Sequence, residues 1–199
     1  HVLSRRQRQM CIRDSARDLI NRWRLVKKDP DAELSEPEQP LVYWVENSTP
    51  EEIRPFVVKG IEAWNKAFEK AGFKNAIVAK IQPDDAEWDA GDVRYNVVRW
   101  ASTPSPRYSG YGPSVANPRT GEIIAADIVQ EFNAIKRGYT YRKLWGYTEE
   151  NDPLEQWIVS LTMHEVGHTL GLRHNFKSSW VYDAKAVSYT HLRAHETEE

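Results

Sequence analysis

The sequence predicts an α+β fold: a twisted mixed β-sheet with a backing helix on it and a second helix near the C-terminal end. Three observations favour this class. Short β-branched and aromatic runs alternate with stretches of helical periodicity. The elements follow the order strand, helix, strand, strand, hairpin, helix. The 199 residues show no internal repeat and suffice for one domain with a sizeable core.

The first two predicted elements are a buried strand and a long helix. LVYWVE (41–46) is a β-branched and aromatic run that predicts the strand. Thr49 is the predicted N-cap, Pro50 stands at the first helical position, and Glu52 completes a capping box. Gly72 ends the helix. The apolar positions recur at helical spacing and are Ile53, Phe56, Val57, Ile61, Trp64 and Phe68.

Strands dominate the middle of the chain. NAIVAKI (75–81) and RYNVVRW (94–100) each predict a strand, and 102–114 is a loop. The segment 114–132 predicts a hairpin, because the turn residues NPRTG precede the apolar run EIIAADIVQ. Residues 133–150 show no clear pattern.

The last helix has signals at both ends. Asp152 can cap it, Pro153 takes the first helical position, and Glu155 follows the cap by three residues. The helix runs to about Leu170. Gly171 stops it, because glycine adopts a positive φ without steric cost.

The two ends of the sequence differ from the rest. HVLSRRQRQMCIRDS (1–15) and VSYTHLRAHETEE (187–199) resemble translated sequencing-adapter read-through, and we expect both to be non-native. The alternative is a pair of genuine disordered ends. Residues 16–28 have a weakly helical pattern that predicts a lead-in helix. Residues 29–40 are acidic and hold three prolines, which predicts a linker.

Composition argues against two classes of function. The formal net charge is −2, so no basic surface for nucleic acid is predicted. No apolar run approaches the roughly 20 residues that span a bilayer, so no membrane span is predicted. The single cysteine, Cys11, lies in the segment that we expect to be non-native, so no disulfide is predicted.

Every histidine of the expected native sequence lies in LTMHEVGHTLGLRHNF (161–176). His164 and His168 are four residues apart on the predicted helix, so both imidazoles project from one face. Gly171 lets the chain turn off the helix, and His174 can swing back to the same point. Three neutral imidazole nitrogens at about 2.0–2.1 Å would hold Zn²⁺ and leave a fourth position for water.

Glu165 is not needed as a ligand, which favours a catalytic site over a structural one. It adjoins His164 and can take a proton from a zinc-bound water and pass it to a leaving amine. Taken singly, each histidine could be a core or surface residue, and Gly171 could be only a helix C-cap. The complete pattern His-Glu-x-x-His-x-x-Gly-x-x-His is far rarer by chance than HExxH alone, so the set favours zinc.

HEVGHTLGLRH resembles the extended motif of the metzincin clan of zinc metalloproteases at every defining position. NRWRLVKKDPDAELSEP and TPEEIRPFVVKGIEAWNKAFEKAGF are similar to segments of large bacterial members. The resemblance covers about 16–186 and implies that 41–186 is a partial metalloprotease catalytic domain. It implies a metzincin-like N-terminal subdomain with a backing helix and an active-site helix, which agrees with the element order.

The resemblance also implies roles for individual residues. His164, His168 and His174 would bind one catalytic Zn²⁺, and Glu165 would be the general base. In the clan an edge strand borders the cleft and pairs with extended substrate. GEIIAADIV (121–129) is the best candidate, the alternative being an ordinary interior or capped strand. The predicted substrate-binding residues are Gly121, Ile123, Ile124, Ala125 and Ala126.

The sequence departs from the clan at the methionine-containing turn, which metzincins carry downstream of the third histidine. Met10 and Met163 are the only methionines, and neither lies downstream of His174. We therefore expect the C-terminal subdomain to be missing and cleavage by this chain to be weak. The resemblance also implies export to the periplasm or cell surface.

Three hypotheses for function follow. The leading one is a zinc-dependent endopeptidase that acts on a peptide or protein substrate. The second keeps the chemistry but changes the substrate to a non-peptide amide. The third is a non-catalytic binding module that zinc stabilises. Two polar residues have alternative roles: Asp127 could support the site but is favoured as only a strand-end residue, and Asn175 could orient the site or cap the turn.

Overall fold

A six-stranded sheet forms the centre of the protein, in a computed structural model that describes residues 19–146, 148 and 154–174. The strands are β1 (Leu41–Val45), β2 (Ile77–Ile81), β3 (Asn96–Ala101), β4 (Gly110–Tyr111), β5 (Ser114–Ala116) and β6 (Ile123–Glu131). Their order is β2-β1-β3-β6-β4, and β5 also pairs with β6. The four longer strands are parallel, whereas β4 and β5 are antiparallel to β6. The predicted mixed α+β fold is confirmed.

Hydrophobic residues of the strands pack with residues of two helices in one shared core. In β1 the buried positions alternate, with Leu41, Tyr43 and Val45 facing inward. In β3 the adjacent residues Val97 and Val98 are both almost fully buried, because this strand is covered on both faces. The predicted strands at 41–46, 75–81 and 94–100 and the hairpin at 114–132 are therefore confirmed, with small shifts at their ends.

Four helices accompany the sheet in the described residues. They are α1 (Arg54–Glu62), α2 (Asn65–Lys70), α3 (Phe132–Leu144) and α4 (Leu154–Thr169). The helix α3 occupies most of the stretch that shows no clear pattern in the sequence. Among the residues described, no helix combines the length and apolar character that crossing a bilayer requires.

The helix predicted between Thr49 and Gly72 is divided, and its predicted capping box is wrong. The helix α1 starts four residues later than predicted, and its N-cap, Ile53, makes no side-chain capping bond. Thr49 instead lies in a turn in which its N–H donates to the Glu46 carbonyl at 3.0 Å. The Arg54 side chain donates to the Thr49 carbonyl at 2.8 Å and so stabilises this turn.

The predicted lead-in helix is also wrong over its described part, residues 19–28. This segment is extended, and Arg22 forms a bridge with Glu122 beside β6. The predicted linker folds back on the domain: Lys27 bridges to Pro37, and the buried Ser35 bridges to Phe73. Backbone hydrogen bonds to the sheet outcompete a helical pattern that has too few apolar contacts to stabilise it.

Close contact between α1 and α4 fixes α4 on the domain. Gly60 of α1 lies so near α4 that an added Cβ would stand 2.6 Å from Cβ of Thr162. On the sheet side, Gln130 Nε2 of β6 donates to Thr162 Oγ1 at 2.6 Å, and this hydroxyl donates to the Ile158 carbonyl. Packing on one side and hydrogen bonds on the other therefore set the position of α4.

Replacement of Gly60 by alanine is expected to lower the free energy of unfolding by about 1–3 kcal/mol. The added Cβ would overlap Thr162 and lie 2.9 Å from the Val159 carbonyl oxygen. This overlap outweighs the ~0.5–1 kcal/mol that alanine gains over glycine inside a helix. Urea unfolding measures the change. Gly91→Ala is the control, because the nearest atom to its added Cβ is in the flexible Asp89 side chain; an equal loss in both variants would contradict the packing argument.

Candidate metal centre

The helix α4 carries two of the three histidines at the border of its buried face. Its buried residues recur every three or four positions and are Ile158, Val159, Thr162, Glu165, Val166, Gly167 and Thr169. His168 is half-buried and His164 is exposed, so both rings reach solvent while the helix backbone below them is held by the core. The predicted cap, Asp152 and Pro153, lies outside the described residues.

A glycine turn returns the third histidine to the helix. Gly171 has φ +96°, a conformation that glycine adopts readily. The Gly171 N–H donates to the His168 carbonyl at 3.0 Å, and the Leu172 N–H donates to the Gly167 carbonyl at 3.0 Å. These bonds close the C-terminal turn of α4 and reverse the chain, which brings His174 back beside the helix.

The three imidazole rings meet at their Nε2 atoms. The Nε2 atom of His164 lies 2.9 Å from that of His174 and 3.0 Å from that of His168. The third distance, between His168 and His174, is 3.1 Å. Zinc with tetrahedral angles would need nitrogens about 3.3–3.4 Å apart. The observed distances are thus a few tenths of an ångström shorter than a bound zinc ion needs. Small rotations of the histidine side chains can supply this difference. Three imidazole nitrogens are also a donor set that fits Zn²⁺.

A hydrogen bond fixes the position of the ring proton of His168, on the nitrogen that faces away from the other two histidine rings. His168 Nδ1 lies 2.9 Å from the Leu172 carbonyl oxygen. A carbonyl only accepts, so the neutral ring carries its proton on Nδ1 and presents an unprotonated Nε2. Burial lowers the pKa of His164, and positive charge on His168 and His174 lowers it further. Both effects favour the neutral form of the His164 ring, which is the form that binds a metal.

Glu165 points to the buried side of the same helix turn. The residue is only 4% exposed, and its Oε2 has no hydrogen-bond partner among the described residues. Burial raises the pKa of its carboxyl, against which the charge of His168 acts. Gly110 and Gly112 of the neighbouring edge leave it room: an added Cβ on Gly110 would lie 3.0 Å from Glu165 Oε1.

In the metal-free protein at pH 7, Glu165→Gln is expected to raise the free energy of unfolding by ~1 kcal/mol, because it removes a buried charge. The carboxyl pKa is raised in the folded state above its ordinary value of 4.5. The protonated carboxyl therefore stabilises the folded state fully below pH 4.5, and this stabilisation is lost as the pH rises through the folded-state pKa. Urea unfolding at pH 4 and pH 7 measures the difference. The variant and the wild type should differ less in their free energy of unfolding at pH 4 than at pH 7. A larger difference at pH 4 would contradict the raised pKa of Glu165.

The predicted substrate strand is an interior strand. On one side, β6 pairs with β3 from Asp127 to Glu131, and on the other side with β4 and β5. Near its start, the Gly121 carbonyl and the Ile123 N–H bond to the backbone of Arg22. The expectation of an unpaired edge at 121–129 is therefore wrong. The edge of the sheet on this side is formed by β4 and β5.

The five predicted substrate-binding residues have different environments. Ile123, Ala125 and Ala126 are buried, whereas the side chain of Ile124 is exposed. Gly121 lies at the turn beside the N-terminal segment, with φ +74°. Their contact with substrate stays a prediction.

The two open polar residues have different outcomes. Asp127 lies in β6, and its Oδ1 is 3.4 Å from the Val97 backbone nitrogen. Burial raises the pKa of its carboxyl, while the Val97 N–H and Arg99 act in the opposite direction. These contacts give Asp127 a role within the sheet. Asn175 lies outside the described residues.

Three residues that the sequence does not single out support the end of α4. Thr169 Oγ1 donates to the Val166 carbonyl and therefore accepts from the Tyr43 hydroxyl at 2.8 Å. Burial raises the pKa of that phenol, so it stays protonated as a donor. Trp23 Nε1 donates to the Thr169 carbonyl at 2.9 Å. No periodicity or motif marks these residues, because their contacts join distant parts of the chain.

Comparison with known protein families gives a match over part of the chain. Residues 147–196 match a family model whose description is Met-zincin. No curated protein and no solved structure matches the chain. The matched range extends into the segment 187–199, whose assignment as non-native stays a prediction. The matched residues include all three histidines of the triangle and Glu165, so over this segment the chain is similar to the Met-zincin family, as its motif predicts.

Proposed function

We propose that this protein is a zinc-dependent endopeptidase. The observation that carries the proposal is the convergence of three Nε2 atoms on the helix that also bears the buried Glu165, whose Oε2 finds no hydrogen-bond partner within the part of the chain that the structure describes. His164, His168 and His174 would hold one zinc ion. When bound, zinc supplies a Lewis acid that polarises a carbonyl and makes water more acidic.

Glu165 would act as the general base and then as the general acid. Its Oε2 accepts a proton from the water that attacks the peptide carbonyl, and the same oxygen later donates that proton to the nitrogen of the leaving amine. Burial supports both roles, because a raised pKa makes the protonated form easier to reach than in an exposed carboxylate. A purely structural zinc site would have no use for this carboxylate.

The edge formed by β4 and β5 is the better candidate for peptide docking. No described strand pairs with its outer side, so its backbone groups can bind an extended peptide by strand addition. Gly110 and Gly112 bring this edge against α4 at Glu165. Val115 of β5 is exposed and can contact a substrate side chain, as can the neighbouring Ile124 of β6.

Zinc dependence and substrate class test the proposal together. Native mass spectrometry is expected to show one zinc ion per chain. A mixed peptide library is expected to be cleaved internally, to be protected by a chelator, and to be cleaved again after zinc is restored. Cleavage that persists in the chelated protein would overturn the proposal.

Two other functions use the same residues. An amide hydrolase would bind zinc equally well but leave the peptide library intact while releasing amines from small amides. A zinc-stabilised binding module would keep its function in Glu165→Ala and lose it in His168→Ala. The burial of Glu165, with an Oε2 that no described residue contacts by a hydrogen bond, favours the endopeptidase over the module.

A further inference from the structure

We propose that the extended segment 19–23, here called the strap, positions the third histidine of the metal centre, with Trp23 as the principal positioning residue. The inference rests on the proposed zinc site. It concerns what holds His174 in place, since α4 fixes only the other two histidines. Three separate contacts of the strap support it.

The first contact pins the end of the active-site helix. Carbonyl groups in the last turn of a helix lack helical partners and must be satisfied in another way. The carbonyls of Val166, Gly167 and His168 accept hydrogen bonds from the turn that follows. Thr169, the last residue of α4, has its carbonyl satisfied by Trp23 Nε1 at 2.9 Å. The indole therefore completes the hydrogen bonding of the helix end from which the metal-binding turn departs.

The second contact is with the glycine turn itself. A Cβ added to Gly171 would lie 2.2 Å from the Asn21 carbonyl oxygen, so the strap backbone lies directly against this turn. Only two residues separate Gly171 from His174. If the strap moved away, the turn would lose its packing contact on this side. The His174 imidazole would then lose its alignment with the other two histidine rings.

The third contact anchors the strap on the sheet. The Arg22 N–H donates to the Gly121 carbonyl at 3.0 Å, and the Ile123 N–H donates to the Arg22 carbonyl at 2.9 Å. A Cβ added to Gly121 would lie 2.4 Å from the Ile20 carbonyl oxygen. The strap is thus fixed beside the start of β6, so it links the metal-binding turn to the sheet. Metal sites depend on such supporting contacts, because free ligands must be ordered when the ion binds.

The first experiment compares two matched tryptophan variants. Trp23→Phe removes the indole donor to Thr169, and Trp64→Phe removes an indole donor to the Met163 carbonyl of the same helix, a bond of 3.0 Å. Competition with a chromophoric chelator measures zinc affinity. We expect affinity to fall about 10-fold in Trp23→Phe, the lower end of the effect for supporting residues at metal sites, and to change by less than about 2-fold in Trp64→Phe. The visible spectrum of the Co²⁺-loaded protein is expected to change in the first variant alone.

The second experiment displaces the strap without altering Trp23. Gly121→Ala forces the strap outward at a position with φ +74°. Gly146→Ala is its control at φ +87°, where no atom of the described residues lies within 4 Å of the added Cβ. Both variants carry the same kind of backbone strain, but only the first moves the strap. We expect zinc affinity to fall about 10-fold in Gly121→Ala alone.

Hydrogen exchange in the metal-free protein tests the strap separately from zinc binding. The amides of Leu170, Gly171 and Leu172 are bonded to carbonyls of α4. Their exchange is expected to be about 10-fold faster in Trp23→Phe and Gly121→Ala than in their controls, compared at equal global stability. Unchanged exchange and unchanged zinc affinity in both strap variants would overturn the inference. A wild-type protein that protects these amides but binds no zinc would overturn the proposed function and leave the strap contacts supported.

Discussion

Replacement of Glu165 by glutamine is expected to lower kcat for peptide hydrolysis by about 10²–10⁴-fold, the contribution of a general base. Glutamine keeps the size of the side chain but cannot accept a proton. The three histidines do not depend on this carboxylate for their positions, because α4 and the Gly171 turn hold them. Zinc content is therefore expected to stay at one ion per chain. Initial rates on a fluorogenic peptide and metal analysis of the same sample measure the two quantities.

The matched control for this variant is Glu155→Gln, on the first turn of the same helix. Glu155 is partly exposed and pairs with Lys59 at 2.7 Å, a surface ion pair of little energetic weight. We expect its turnover to equal that of the wild type. Full turnover in Glu165→Gln would exclude the proposed proton transfer, and loss of zinc in that variant would show that the carboxylate supports the metal as well.

Replacement of His168 by alanine is expected to abolish zinc binding and, with it, hydrolysis. This ring contributes two functions: its Nε2 is one corner of the nitrogen triangle, and its Nδ1–H donates to the Leu172 carbonyl within the turn. Zinc at 100 times its Kd would stabilise the wild type by about 2.7 kcal/mol, and this gain is expected to vanish in the variant. Thermal unfolding with and without added zinc measures it.

The two variants distinguish the roles that the site assigns to each residue. Glu165→Gln is expected to keep the zinc-induced rise in Tm and to lose hydrolysis, whereas His168→Ala loses both. A zinc-induced rise in Tm in His168→Ala equal to that of the wild type would mean that the ion binds elsewhere. Restored hydrolysis at high zinc concentration would mean that two histidines suffice.

Local patterns predict most of the sheet and the convergence of the three histidines. The runs at 41–46 and 94–100 are short and rich in β-branched and aromatic residues, which favours strands, and both are strands in the structure. The spacing of His164 and His168 fixes both on one helical face, and Gly171 allows the turn that returns His174. These predictions succeed because each depends on residues that lie close together in the sequence.

Predictions that depend on distant contacts fail. The segment 19–28 has a weakly helical pattern, but hydrogen bonds to a strand about a hundred residues later hold Arg22 in an extended conformation. Thr49 looks like a helix cap, yet the Arg54 side chain stabilises a turn there instead. The interior position of β6 could not be predicted fully either, because β4 lies in the stretch 102–114 that the sequence predicts as a loop, and Arg22 pairs with the chain beside β6 only in the folded structure.

The hydrogen bond between Trp23 and Thr169 also has a consequence for how the protein folds. It joins residues 146 positions apart, and contacts of such separation form late because they must overcome the entropy of closing a long loop. The helix and its first two histidines rely on nearer contacts and can form earlier. We therefore expect zinc to be captured after the chain has folded, rather than to act as the nucleus on which it folds.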